Sequence, residues 1–186
     1  MSLRHACTSH AATSHPTRQS VITGFAAAVA TFALSSARAF APIAPEDESF
    51  MRIALDEARQ GDFPFGAVIV REGRLIARGR NIGRTNDDPT AHGEMVAIRR
   101  CLAEHGSVAL HGSTLYTTGE PCAMCMGAIL WCRIGRLVYA ASVDQLASRI
   151  DQIMVSSADI RAKALFVPMS ITGGVLADEA VALFGR

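Results

Sequence analysis

The chain is short of the features that would make it a disulfide scaffold, a membrane protein or a strongly basic nucleic-acid binder. Five cysteines in 186 residues are too few, and too unevenly placed, for a disulfide framework. The first 45 residues hold Arg4, Arg18 and Arg38 but no acidic residue. The other 141 carry fifteen basic and seventeen acidic side chains, about −2 in all. That balance offers no large electrostatic footprint for nucleic acid, which is not an expected partner. The run Val21 to Ser36 (VITGFAAAVATFALSS) is apolar for 16 residues, short of the roughly 20 that a membrane span requires, so the mature protein is expected to have no stable span. There is no internal repeat, which excludes a repeat array, and no low-complexity segment outside the first 45 residues.

That N-terminal run has its own reading. Thr17-Arg18-Gln19-Ser20 before it resembles a degraded twin-arginine signal, and Ala37-Arg38-Ala39 or Ala39-Phe40-Ala41 after it fits a small-x-small cleavage site. Residues 1–41 are therefore expected to be an export leader and the protein periplasmic or exported. The alternative is an unstructured extension on a cytoplasmic protein. Free thiols at Cys101 and Cys132 count against an oxidising compartment; in apolar helical contexts both read as small core hydrophobes. The rest, 42–186, has a length and apolar content suited to one domain and too small for two.

Within that domain, Pro45 to Glu48 opens an amphipathic helix carrying Phe50, Ile53, Ala54 and Glu57 on its repeat, with Gly61 as a stop. Phe65 to Val70, a turn at 71–74, and Leu75 to Arg78 predict a hairpin. A polar loop from Asn81 to Pro89 leads to a helix over 91–104, then a strand over 114–118, a helix from Pro121 to about Cys132, and a strand over 137–141. Beyond these, 159–164 predicts a helix, 170–172 a fifth strand and 178–184 a closing helix. This alternation predicts an α/β fold with a mostly parallel sheet after the hairpin and helices on both faces.

Two short motifs carry chemistry: His92-Gly93-Glu94 and Pro121-Cys122-Ala123-Met124-Cys125. One imidazole and two thiolates can hold Zn2+ tetrahedrally while leaving its fourth position for water, whose pKa such a metal lowers from ~16 towards ~7. Glu94, two residues beyond His92, is placed to exchange protons with that water without being a ligand. Both metal-bearing helices are expected to present their N-termini to the ion, with Pro121 in the first turn and Cys122 and Cys125 sharing a face. A lone C-x-x-C would read equally as a redox pair or half a structural zinc knuckle. No second C-x-x-C exists to close such a knuckle, and the histidine arrives with a glutamate at +2. His105 and His111 read as surface residues, Met124 and Met126 as packing residues. Phe63-Pro64-Phe65-Gly66 either lines a pocket or fills the core.

His-x-Glu with Pro-Cys-x-x-Cys is the known signature of zinc-dependent base deaminases. With the β-α-β-α-β order, residues 48–145 resemble the cytidine/deoxycytidylate deaminase superfamily. Phe63 to Val70, Asn86 to His92, Leu115 to Cys122 and Gly127 to Trp131 are most similar to its guanine deaminase and tRNA adenosine deaminase branch. The resemblance implies a three-layer α/β/α sandwich with a five-stranded mixed sheet, a homodimer, and hydrolytic deamination of a nucleobase or nucleoside, guanine first. Wobble adenosine in tRNA is the alternative substrate, and a non-catalytic zinc-stabilised interaction domain a further one. It also implies that Asn81 binds the base, that Trp131 flanks the pocket, and that Asp151 recognises the amino group; Phe65 joins them as a substrate-binding candidate. The chain departs from the pattern in having Gly93 where alanine is usual and Arg149-Ile150 where guanine deaminases tend to show Gly-Phe. It also ends Ala-Leu-Phe-Gly-Arg, without a long aromatic-rich tail.

Overall fold

A computed structural model describes residues 40–185. The expected leader lies outside the described residues except for Phe40 and Ala41, and these two belong to the folded part. The Ala41 amide donates to the Ile171 carbonyl at 2.7 Å, and the Phe40 ring meets Tyr139 edge-on at 6.4 Å.

Helix α1 (Asp47–Ala58) leads into the hairpin β1 (Gly66–Arg71) and β2 (Arg74–Arg80). Glu72 and Gly73 between them both have positive φ, 52° and 72°, the backbone of the tight turn whose twist suits a hairpin. Then follow α2 (Gly93–His105), β3 (Thr114–Gly119), α3 (Ala123–Trp131), β4 (Arg136–Ala141), the single turn α4 (Val143–Leu146), α5 (Ser157–Lys163), β5 (Ser170–Gly173) and α6 (Ala177–Ala182).

The five strands form one sheet in the order β2-β1-β3-β4-β5. The five-stranded sheet is mixed, and the pairs after the hairpin, β3-β4 and β4-β5, are parallel, as expected; β1, however, pairs antiparallel with β3 as well as with β2. The reason is the position of α2, which connects β2 to β3 across the face of β1 and so sets β3 on the far side of the hairpin. Strand alternation then sorts the core into two. Ala67 and Ile69 of β1, with Leu115, Leu137 and Tyr139, face α2, α3 and α5; Val68 and Val70, with Tyr116 and Val138, face α1, α4 and α6. The strands are apolar on both faces because both are covered, which gives the three α/β/α layers.

Gly79 shows how close these layers lie. A Cβ there would overlap the Gly93 carbonyl oxygen and the Ala97 amide nitrogen, so α2 rests directly on β2 with backbone against backbone. This contact fixes the height of the helix that carries His92 and Glu94. On the other face, buried Asp47 at the start of α1 accepts two hydrogen bonds from Arg136 of β4, at 2.7 Å each, and one from Tyr116 of β3 at 3.1 Å. Cys101 is fully buried and Cys132 half-buried against the same core, and burial raises both thiols, so they pack as neutral side chains. Met126 is buried, but Met124 is 36% exposed: one step round α3 from Cys125, it points away from the core. His105 and His111 are exposed. Among the described residues, no helix is long and apolar enough to cross a membrane.

Candidate metal centre and active-site pocket

The two motifs meet at the N-termini of α2 and α3. His92 and Cys122 are the N-cap residues of these helices, both in extended conformation, and Cys125 lies three residues into α3. Pro121 falls one position earlier than expected, before the cap. Its ring still suits the turn, because it takes no amide hydrogen from the helix. The caps close their first turns through the main chain: His92 O accepts from Val96 N and Cys122 O from Met126 N, both at 2.9 Å. Neither side chain caps its own helix, which leaves both free to face each other.

His92 Nδ1 lies 3.7 Å from Cys122 Sγ and 3.6 Å from Cys125 Sγ, and the three ligand atoms all fall within 4.8 Å of one another. With Zn-N near 2.05 Å and Zn-S near 2.3 Å, a tetrahedral N···S edge is about 3.6 Å. The donor set and its spacing therefore fit a zinc ion held by these three residues. Its electrostatics fit too. A hydrogen bond from the Cys125 thiol, followed by His92, pulls Cys122 down to about 4, so it is a thiolate at neutral pH. The same hydrogen bond to Cys122, and then burial, push Cys125 up, leaving a proton for a metal to displace. Contact with Cys122 raises His92.

Glu94, in the first turn of α2, is 3% exposed, and its Oε1 accepts from Thr117 Oγ1 of β3 at 3.2 Å. Burial, and after it the negative Cys122, raise its carboxyl above the usual range. A carboxyl raised in this way keeps its proton to higher pH than an exposed one, which suits a group that exchanges protons with a neighbouring water.

A cavity of about 600 Å³ opens beside these groups, at the end of the sheet where β2, β3 and β4 finish and β1 starts. That is mid-range for sites that enclose a small organic ligand. Phe65, Asn81 and Asp151 line it, together with His92, Glu94 and Cys122. The Phe65 ring lies parallel to the His92 imidazole, 6° apart in plane and 6.5 Å between centroids, and is braced edge-on by Phe184 at 5.1 Å. The main chain holds Asn81: its amide donates to Phe65 O at 2.9 Å and its side-chain oxygen accepts from Gly83 N at 3.1 Å. Its Nδ2 makes no hydrogen bond among the described residues and is left to the pocket. Asp151 is exposed at the rim between Ile150 and Gln152, which also line the cavity.

Trp131 is not part of this cavity. It ends α3, which starts at the metal ligands, and nine residues of helix carry it roughly 13 Å away. There it is 77% exposed and meets the Phe166 ring at 5.0 Å, tilted by 33°. Three contributors were not identified from sequence: Thr117, Glu120, and Arg84 at the mouth, whose guanidinium sits 5.5 Å over the Phe63 ring. Glu120 stands two residues before Cys122, and a carboxylate so close to a ligand was a readable signal. Thr117 lies in an otherwise ordinary strand and gave none.

Fold and site together define an α/β/α protein built round a His-Cys-Cys zinc centre with a buried carboxyl beside it. The chain belongs to the cytidine and deoxycytidylate deaminase zinc-binding family, whose model matches residues 44–141. It is 46% identical over 99 residues to guanine deaminase of Bacillus subtilis, a match covering 50% of this chain and 64% of that protein. It is 41% identical over 138 residues to the tRNA-specific adenosine deaminase of Haemophilus influenzae, covering 72% and 78%. The chain thus spans just under two thirds of the first of these relatives and more of the second. Among solved structures, a tRNA:A34 deaminase superposes with a TM-score of 0.64 at 34% identity, covering 73% of this chain and 98% of that one. Guanine deaminase from Nitrosomonas europaea superposes with 0.64 at 27%, covering 77% and 84%.

Proposed function

We propose that this protein hydrolytically deaminates an amino-substituted nucleobase or nucleoside, with guanine as first candidate. The observation that carries the reaction is Glu94: buried, raised in pKa, held by Thr117, and two residues from the metal-ligating His92. Zinc on His92, Cys122 and Cys125 would supply the Lewis acidity that makes a water reactive near pH 7. The residues do the rest. The base lies beside Phe65, and Asn81 Nδ2 donates to a ring acceptor. Glu94 takes a proton from the attacking water and gives it to a ring nitrogen; it then takes the remaining proton from the hydroxyl of the tetrahedral adduct and gives it to the amino group, which leaves as ammonia as the C–N bond breaks and the C=O bond forms. Asp151 favours guanine because a rim carboxylate can accept from the exocyclic N-H of that base.

Wobble adenosine in tRNA is the second reading, supported by the longer Haemophilus match and by Arg84, whose guanidinium makes no ion pair among the described residues and is placed to meet a phosphate. Ammonia release by the full chain on guanine, adenine, cytosine, their nucleosides and an anticodon stem-loop separates them. Turnover of guanine supports the first reading; turnover of the stem-loop alone replaces it with the second.

We also propose a homodimer. Trp131, Leu165 and Phe166, at 77%, 92% and 48% exposure, put apolar side chains on the surface at the α3-α5 side, the kind of patch that marks an association face. Sedimentation should give a dimer that Trp131→Glu converts to monomer; a monomeric wild-type chain removes the proposal.

A further inference from the structure

We propose that Glu120 is a positioning residue that clamps the substrate-facing loop, residues 147–156, to the turn carrying the zinc ligands. The proposal rests on the reading above, in which that loop meets the base. Glu120 follows the last residue of β3, two positions before Cys122, and is 5% exposed. Its own amide is bonded to Ala141 O at the end of β4 at 2.7 Å. Its two carboxylate oxygens go to different places. Oε2 accepts from the amide of Val143, the first residue of α4, at 3.0 Å; Oε1 accepts from the amide of Ser157, the first residue of α5, at 2.7 Å. Amides in a first helical turn have no acceptor within their own helix, so one side chain satisfies a donor at each end of the loop.

What hangs between those two points is the pocket rim. Ile150, Asp151 and Gln152 line the cavity, and Gln152 ties back to Val143 O at 3.2 Å. The outer part gains little from packing: Ile153 and Met154 are 61% and 53% exposed. Ile150 packs against the core of the α1-α6 face and Gln152 bonds back to Val143, while the rest of the loop takes its position from its ends, both of which Glu120 holds. In this way the residue links the part of the site that reacts to the part that selects.

The geometry discriminates among substitutions. Glutamine has one acceptor oxygen, so Glu120→Gln keeps one bond and turns an amide NH2 towards the other donor. Aspartate keeps the charge but is one methylene too short to span both amides. Ser157→Pro removes the Ser157 N-H and leaves Glu120 untouched. Proline is tolerated at a first helical position, and Ser156 before it, at φ −68° and ψ 151°, already has the backbone that a proline requires of its predecessor.

The test measures kcat, KM and zinc content, together with amide hydrogen exchange in 147–156. Losing a hydrogen bond to a charged group should raise KM about tenfold in Glu120→Gln and Ser157→Pro. Zinc should stay bound and kcat change little, while exchange quickens in 147–156 and not in β3 or β4. Glu120→Asp should behave like the glutamine variant. Wild-type KM and exchange in Glu120→Asp would mean that charge alone matters and would overturn the clamp, as would loss of zinc and kcat at unchanged KM in Glu120→Gln. The exchange measurement needs no substrate. If the wild-type chain deaminates nothing tested, the functional reading fails, while unaltered loop exchange in folded Glu120→Gln and Ser157→Pro still rejects the clamp by itself.

Discussion

Replacing Asp47 by alanine should cost this fold a large part of its stability while leaving the metal centre's own residues in place. Asp47 is fully buried and accepts four hydrogen bonds: two from Arg136 and one from the Ala44 amide, each at 2.7 Å, and one from Tyr116 at 3.1 Å. Arg136 donates in addition to Thr172 Oγ1 of β5 at 3.0 Å, so the carboxylate ties α1 to three strands. Alanine leaves the Arg136 guanidinium, 20% exposed, without its counter-charge, and the buried Tyr116 hydroxyl without an acceptor. Breaking a buried pair from one side costs about 3–5 kcal/mol, and the partial exposure of Arg136 places this case near 3. With a typical urea slope near 2 kcal/mol/M, the unfolding midpoint should fall by roughly 1.5 M at pH 7. The pH dependence has a defined sign. Burial by itself would raise the Asp47 carboxyl, but the hydrogen bonds from Arg136 and Ala44 outweigh it and hold the group below its ordinary value. A depressed folded-state pKa gives stability that is fully present above about pH 4 and is lost as the pH falls through the folded value. The gap between wild type and Asp47→Ala should be flat from pH 5 to 7 and narrow below 4. A loss under about 1 kcal/mol at pH 7, or a gap that widens in acid, would refute the reasoning.

Two further outcomes follow from the site. Glu94→Gln should lower kcat by about 10²–10⁴ with zinc content unchanged, measured by ammonia release alongside metal analysis; full turnover in a zinc-loaded variant would remove Glu94 from its role. Gly79→Ala should prevent stable folding or cost more than about 3 kcal/mol, because the added carbon meets main chain on α2 and no side chain can yield. A soluble variant with the wild-type urea midpoint would show that α2 can lift off β2.

What could be read from the sequence followed the range of the interactions. The hairpin, α2, β3, α3 and β4 carry their own periodicity and turn residues, and they lie within a few residues of where the pattern puts them. The antiparallel β1-β3 pairing has no local signal, since its facing ends, Val70 and Thr114, are 44 positions apart in the chain. The turn α4 was missed because one turn shows no period. Its capping box, Ser142 and Gln145 exchanging hydrogen bonds with each other's backbone, was in the sequence and is the signal that could have found it. Asp47 and Arg136 meet across 89 positions, and no motif announces them. Trp131 went astray for another reason: a resemblance transfers a position along the chain, whereas the length of α3 decides where that side chain ends up.

The same distinction explains why relatives with two different substrates match this chain about equally well. The zinc ligands, Glu94, Thr117 and Asn81 all lie between residues 44 and 141, the span matched by the family model. They sit on helix N-termini and strands packed against the two cores, and on the proposed reading they would serve removal of an amino group from either base. Ile150, Asp151 and Gln152 come after that span, on a loop whose outer residues are largely exposed. On that reading, similarity across 44–141 would follow the reaction, and the rim loop beyond it, with Arg84 at the mouth, is where the choice of substrate is to be tested. Glu120 belongs to the matched span yet bonds only to amides outside it, Val143 and Ser157, through its side chain. On the proposed reading, this frame would hold the rim loop at a fixed distance from the metal ligands whatever side chains the loop presents to the base.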